Sequence, residues 1–553
     1  MKYFITLIFF LVASSSWGIT LNDINDKPSS LPKNFLIWQF LHQEINASEA
    51  SEAFYQLEGV NQRFLTDYAA KTDEPEIKYT VNCLNTKATD LLSVSQDDCL
   101  MLGLTPAKAV VLTKEEKEAI AQRLHNRFGY TDWLYTLNQE SFYTSTQNLT
   151  DETLLFRLAG GRYRWDHFNH RVTPEILIEL SKNPHFSDIV YLTATDPKMD
   201  QLQQSLSTLT LNKHNTPQTN FFLALNALKY GNMSNAIEHL QAAEKHSPVG
   251  IDKDKALFWL YKITQDPLYL DKLVQSLDIN MYVLYGRELR NLPTENYFTT
   301  LPTRENPTSI TGVDPFEWKA FAQDLANATP QTAGSLIDRC DGNNSVGVQG
   351  YVLEKIYKPY IHNFTMAYDP YMTTLSNDQK ALIYALMRQE TRFIPGLISH
   401  AFALGLMQIM PFNVDAITKT NSLKITTYFD MLQPNYSIAY SVAHLKHLTD
   451  KLYNPLLIAY AYNAGIGATK RLLLEDKRFL PAYYEPFLSM ELMANNENRE
   501  YGKRVLANYV IYKTILGEAI KITSLFDNLV QPNRSDYFRA TALTSSQAMG
   551  QTE

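Results

Sequence analysis

An all-α chain is the fold class the sequence predicts, and three observations carry that prediction. Glycine is scarce, at 21 of 553 residues. The strict apolar–polar alternation of a half-buried strand is scarce as well. A helix, a short turn and another helix recur along much of the chain. The 45% hydrophobic content is ample for packed cores, and the length predicts roughly two to four domains.

Residues 1–18 read as a secretory signal peptide, with an uncleaved membrane anchor as the alternative. Lys2 supplies the positive start, residues 3–13 a short apolar run, and Ser16 and Gly18 the small residues before a cut. That run is too short to span a bilayer comfortably, and no later stretch is long and apolar enough. The mature chain therefore has no transmembrane segment, and its expected location is the periplasm. Residues 19–290 read as helical hairpins. Phe35, Trp38, Leu41 and Ile45, then Phe54, Leu57 and Phe64, mark the first helices. Thr113 can cap a helix that carries Glu115 and Glu116 in its first turn. The clearest hairpin spans 220–245, turning at Tyr230-Gly231-Asn232. Hairpins of this kind cannot bury their apolar faces singly, and stacking them makes a curved solenoid. Residues 291–369 begin as a proline-rich connector, with Pro293, Pro302, Pro307 and Pro315, before helical pattern resumes at Phe316. Residues 526–553 turn Ser/Thr/Gln-rich and read as a flexible tail.

A net charge of −8 argues against a nucleic-acid partner, which needs a basic footprint. Residues 370–525 depart from that balance, with 16 Lys+Arg against 12 Asp+Glu. A mildly basic segment suits a polyanionic substrate, and simple solvated charge accounts for it equally. Cys83 and Cys99 are close enough in sequence for a disulfide in an exported protein, which would leave Cys340 free. No cysteine spacing points to a metal. His444 and His447 form an HxxH with no third ligand in the pattern, so no metal and no cofactor is expected.

The chemistry centres on Glu390. Leu382, Leu386 and Glu390 are spaced i, i+4, i+8, so the carboxylate continues an apolar stripe. Pro395 confines it to the last turns of its helix. Apolar surroundings and the negative end of the helix dipole both disfavour ionisation. A carboxyl group that stays protonated near neutrality is what a general acid needs. The spacing alone leaves a second reading open, a Glu that is solvated or paired with Arg388 or Arg392.

The residues C-terminal to Glu390 bear on that choice. The chain reads Glu390-Thr391-Arg392-Phe393-Ile394-Pro395, then Ser399, then Ala403-Leu404-Gly405-Leu406-Met407-Gln408-Ile409-Met410-Pro411. Later come Ala461-Tyr462-Asn463-Ala464-Gly465 and Glu497-Asn498-Arg499-Glu500-Tyr501. Four motifs in this order resemble the catalytic domain of the soluble lytic transglycosylases, whose fold is related to goose-type lysozyme. The likeness covers roughly residues 370–525; the rest matches that family only in character, as a counterpart of its α-superhelix and linker domain.

The resemblance implies a periplasmic enzyme cleaving the β-1,4 bond between N-acetylmuramic acid and N-acetylglucosamine. Glu390 would donate a proton and then retrieve one, closing a 1,6-anhydromuramoyl end with no water consumed. By matched position Ser399, Gln408, Met410, Tyr462, Asn463 and Glu497 would bind substrate. The partners implied are peptidoglycan glycan strands with their stem peptides, and other cell-wall enzymes. A muramidase of the goose-lysozyme kind would use the same acid with water as acceptor, and a non-catalytic cell-wall scaffold is a third reading. Retention of Glu390 with Gln408 and Tyr462 argues against a scaffold alone. The chain departs from the family pattern at Phe402, where glycine is frequent, and at Ser437 and His444, where asparagine and tyrosine are usual. A ring at 402 either reshapes the loop or adds a surface for stacking sugars. His400, beside Ser399, is a further candidate for modulating Glu390, with a solvated loop histidine as the alternative.

Overall fold

A computed structural model describes residues 18–127, 132–139, 141–329 and 332–549. The signal-peptide reading therefore falls outside the described residues, apart from Gly18. Helices follow one another from Leu21–Asn25 to Tyr537–Met549. Among the described residues, the named strands are two two-residue strands, Tyr297–Phe298 and His362–Asn363, paired in parallel. The fold is all-α, as the composition predicts.

Local chemistry sets the helix starts. Thr113 accepts a hydrogen bond from the Glu116 amide while the Glu116 carboxylate accepts one from the Thr113 amide, a reciprocal cap that satisfies two orphan donors. Ser376 and Gln379 repeat it at the helix Asn377–Glu390. Pro217, Pro267, Pro434 and Pro455 open their helices, where the missing N–H costs nothing. The hairpin of Pro217–Lys229 and Met233–His246 buries Leu223, Leu225, Ala236 and Leu240. Gly250–Thr264 and Met281–Leu289 continue the stack.

This helical region meets the C-terminal segment at both its ends. At the start, Phe35 and Trp38 of Leu31–Leu41 pack on Phe402, with ring centroids 5.1 and 5.5 Å apart, and Phe35 also meets Phe429. At the far end a buried polar network joins it to the long helix Asn496–Ile515. There Lys503 Nζ lies 2.9 Å from Glu491 and 3.0 Å from Glu500, and it donates to the Tyr282 hydroxyl. Arg499 also pairs with Glu500, and Tyr282 donates to Glu491. Removing one member would leave a buried charge uncompensated, so the network specifies where that helix sits. Between the two regions a small separate core of Ile310, Trp318, Phe321, Val348 and Val352 is closed by Ile394, only four residues beyond Glu390.

Two sequence readings are settled or corrected here. Cys83 and Cys99 are disulfide-bonded, and Cys340 is free and buried. The flexible tail expected at 526–553 is corrected over its described residues, 526–549: Ile522–Leu529, Pro532–Ser535 and Tyr537–Met549 are helical. Leu525, Phe526 and Leu529 are buried. Arg539 is buried too, donating to Asp536, to the Phe479 carbonyl and to the Leu529 carbonyl. Composition misleads because one amphipathic helix and one buried Arg–Asp pair are enough to hold the segment.

Candidate active site

The helix Asn377–Glu390 carries the carboxylate on its last turn and buries everything from Ala381 to Arg388. Thr391 ends it and ties it down, its hydroxyl donating to the Leu406 carbonyl at 3.0 Å. Arg392 and Phe393 then take left-handed backbone conformations, with φ of 53° and 71°. Two such residues in succession reverse the chain away from the helix axis. The helix therefore ends at Glu390, five residues before Pro395.

The two arginines beside Glu390 are engaged elsewhere. Arg388 donates to Glu354 at 2.8 Å, to the Asn363 carbonyl at 2.7 Å and to Asn508 at 2.7 Å. Arg392 reaches the same Glu354 oxygen at 3.5 Å. Glu390 instead accepts a hydrogen bond from the Tyr501 hydroxyl at 2.6 Å. Burial pushes its carboxyl up to about 7; the Tyr501 hydrogen bond opposes this and the nearby Glu497 charge adds to it. Of the two readings the spacing left open, the carboxyl group is thus the desolvated one.

The opposite wall is the loop 396–410, stitched by its own backbone. Ser399 and Ala403 bond each other, amide to carbonyl and amide to hydroxyl, both at 3.0 Å. Leu404 and Ile409 exchange a reciprocal pair of amide–carbonyl bonds at 3.0 and 3.1 Å. Gly405 has φ of 70°, and a side chain there would run into the Met431 carbonyl, so only glycine fits. Gln408 spends its amide nitrogen on the Gly405 and Leu397 carbonyls at 2.9 and 3.2 Å. Its amide oxygen remains as the acceptor it can offer a ligand.

The third wall is the helix Pro455–Ala464, capped by Asn454 and ended by Gly465. Tyr462 donates to the Met407 carbonyl at 2.6 Å, pinning the loop to this helix. Asn463 donates to Glu497 at 3.3 Å. Glu497 and Tyr501 stand one turn apart on Asn496–Ile515, so one helix face delivers both to the site. Gly502 lets that helix approach Tyr460 where a side chain would overlap the ring.

These walls enclose a cavity of about 300 Å³. Glu390, Ser399, Gln408, Met410, Tyr462, Asn463 and Glu497 all line it, although they are spread over more than a hundred residues of chain. Glu497 is not paired with Arg499, which belongs to the buried Glu500 network. His400 does not reach the cavity and lines a different one behind the loop. Phe402 is 2% exposed, so it offers no face for a sugar. Tyr501, which touches the acid directly, was missed among the candidates; its i+4 spacing from Glu497 was the available signal. His444 also lines the cavity, 5.4 Å from the Tyr462 ring, and burial lowers its basicity. Among the described residues no cluster of three or more His, Cys, Asp or Glu could hold a metal.

Residues 372–483 match the transglycosylase SLT domain family. The soluble lytic murein transglycosylase of Salmonella typhimurium is 27% identical over 183 residues, 31% of this chain and 27% of that protein. The membrane-bound lytic murein transglycosylase C of Histophilus somni is 33% identical over 110 residues, 18% of this chain and 30% of that protein. The matched part thus spans less than a third of either relative's length. Among solved structures, an inactive mutant of the lytic transglycosylase Slt of Pseudomonas aeruginosa aligns over 94% of this chain and 86% of that chain. Its identity is 15% and the TM-score 0.46.

Proposed function

We propose that the chain, whose residues 372–483 match the transglycosylase SLT domain family, is a peptidoglycan lytic transglycosylase that uses Glu390 as its single acid and base. The observation that carries the proposal is the state of Glu390: raised to about 7, hydrogen-bonded by Tyr501, and facing a cavity shared with Gln408 and Tyr462. Near neutrality such a group exists in both protonation states in comparable amounts, which suits a residue that must give a proton and take one back.

Glu390 protonates the glycosidic oxygen as the bond from C1 of the muramoyl residue to N-acetylglucosamine breaks. The muramoyl acetamido oxygen bonds C1, giving an oxazolinium-like intermediate. The Glu390 carboxylate then takes the proton from the C6 hydroxyl, whose oxygen bonds C1 and displaces the acetamido oxygen. Protons balance, Glu390 is regenerated and no water enters. Ser399, Gln408, Met410, Tyr462, Asn463 and Glu497 serve as substrate contacts, and Tyr501 orients the acid. The catalytic segment is 370–525, carried by the helical region 19–290 through the linker 291–369. The substrate is glycan strands with stem peptides, met in the periplasm, where other cell-wall enzymes are the natural partners.

A goose-lysozyme-like hydrolase is the second reading, favoured by Glu497, a second carboxylate lining the same cavity. Mass spectrometry of digested sacculi separates the two. The expected fragments carry anhydro ends, one water lighter than reducing ends. Fragments with reducing ends alone would make the protein a hydrolase.

A further inference from the structure

The loop that walls the cleft has two faces with different neighbours. Ser399, Ala401 and Ala403 line the cavity that holds Glu390. Ile398, His400 and Phe402, which alternate with them, line a second cavity of about 810 Å³ on the far side. That cavity is shared with the first helices of the chain and with the helix Pro315–Ala326. The stretch turns here, the Phe402 amide donating to the Ser399 carbonyl at 2.9 Å, and the side chains that face away from Glu390 meet elements remote in sequence, the first helices of the chain above all.

Phe402 is the point of attachment. It sits at φ of 69°, a conformation an aromatic residue rarely adopts, yet its side chain is almost wholly buried. Phe35, Trp38 and Phe64 surround it at centroid distances of 5.1, 5.5 and 5.9 Å. The Arg63 guanidinium covers both Trp38 and Phe402, at 4.5 and 4.9 Å from their ring centres. An unfavourable backbone conformation persists only where its surroundings over-determine it. Here the aromatic cage does so, and it comes from the helices Leu31–Leu41 and Gln62–Ala69.

We infer that the first helices of the chain are a positioning device for the catalytic cleft, acting through Phe402. The cage holds the ring, the ring holds the alternating stretch 399–403, and that stretch holds Ser399, Ala401 and Ala403 opposite Glu390. Phe402 is a positioning residue and touches no substrate. The N-terminal region thereby shapes the site as well as extending from it. This inference rests on the reading of the cleft as a transglycosylase site.

The test uses the full chain with Phe402→Ala, Trp38→Ala, Arg63→Ala and the Phe402→Ala/Trp38→Ala pair. kcat and KM are measured on a soluble muramoyl oligosaccharide, with thermal unfolding alongside. From the usual strength of aromatic and cation–π contacts, kcat/KM should fall about tenfold for Phe402→Ala, about fivefold for Trp38→Ala and about twofold for Arg63→Ala. The pair should lose little more than Phe402→Ala alone, because both act through one contact. Trp38→Phe keeps a ring and should restore wild-type kcat/KM. If Phe402→Ala does not fold, the partly buried Trp38 and the exposed Arg63 carry the test. Folded Trp38→Ala and Arg63→Ala proteins with wild-type kcat/KM, or losses that multiply in the pair, would overturn the inference. Wild type and Glu390→Gln are run beside them. An inactive wild type would sink the reading of the cleft, whereas an active wild type, a dead Glu390→Gln and unaffected cage variants would sink the positioning role alone.

Discussion

Glu354 and Glu390 are both withdrawn from solvent, lie close to the same two arginines in the fold or in sequence, and end up at opposite extremes. Burial pushes both upward. At Glu354 it is outweighed by the hydrogen bond from His362 and the charges of Arg388 and Arg392, and the carboxyl falls to about 2. At Glu390 the Tyr501 hydrogen bond is too weak to reverse burial, and the carboxyl stays at about 7. Desolvation alone therefore does not make a catalytic acid; it does so where the fold directs the neighbouring cations elsewhere. Glu354 takes both arginines, and so keeps Glu390 free to hold a proton. The molecule has a structural carboxylate and a candidate chemical one.

The comparison breaks most directly at Glu390. Glu390→Gln keeps the shape and an acceptor for Tyr501 but can neither give nor retrieve a proton. Its turnover on purified sacculi should fall by at least the ~10²–10⁴-fold typical of a general acid–base group, with the circular dichroism spectrum unchanged. Near wild-type turnover would remove Glu390 from the mechanism. Glu354→Ala should act on stability first. It strands Arg388 beside Arg392 and His362, and breaking a buried pair in this way costs about 3–5 kcal/mol. Thermal unfolding close to that of wild type would show that the ion cluster holds nothing in place.

The two carboxylates should also pull the pH dependence of stability in opposite directions. Glu354 is depressed from 4.5 to about 2, so its contribution is present above 4.5 and is lost as pH falls toward 2. Glu390 is raised from 4.5 to about 7, so its contribution is present below 4.5 and is lost as pH rises through 7. Glu390→Gln should therefore flatten the stability profile between 4.5 and 7 and leave the acid side alone. Activity follows the same group: kcat/KM should decline as pH rises through about 7, because the proton donor is lost. An alkaline limb near the ordinary carboxylate value of about 4.3 would show Glu390 to be solvated.

The smallest effect sharpens the comparison further. Tyr501→Phe deletes the hydrogen bond that opposes burial, so the alkaline limb should move up in pH. Glu497→Gln deletes a neighbouring negative charge, so the limb should move down. Shifts of the same sign for the two variants would contradict this account of the site's electrostatics.

Much of this was legible in residue order because it depends on neighbours along the chain. The stripe Leu382–Leu386–Glu390 and the stop before Pro395 place the candidate acid on the end of a helix with an apolar face. Asn454, Pro455 and Gly465 likewise bound the helix that presents Tyr462 and Asn463. The seven candidates converge on one cavity because each motif is a local element with one functional face. Three contacts join residues too far apart in the chain to be read from it. Tyr501 meets Glu390 from 111 residues away. Glu354 claims both arginines from 34 and 38 residues away. Phe402 could be read as a sugar platform until the N-terminal helices were seen around it.

By itself the sequence determined most of the helices, many of their caps and the place of the candidate acid on an apolar stripe, since hydrogen bonding within a turn and the 3.6-residue period act over a few positions. Only the tertiary structure decided the protonation of that acid and the setting of its loop. Both depend on desolvation and on charges a few ångströms away, and at that range distance along the chain carries no information.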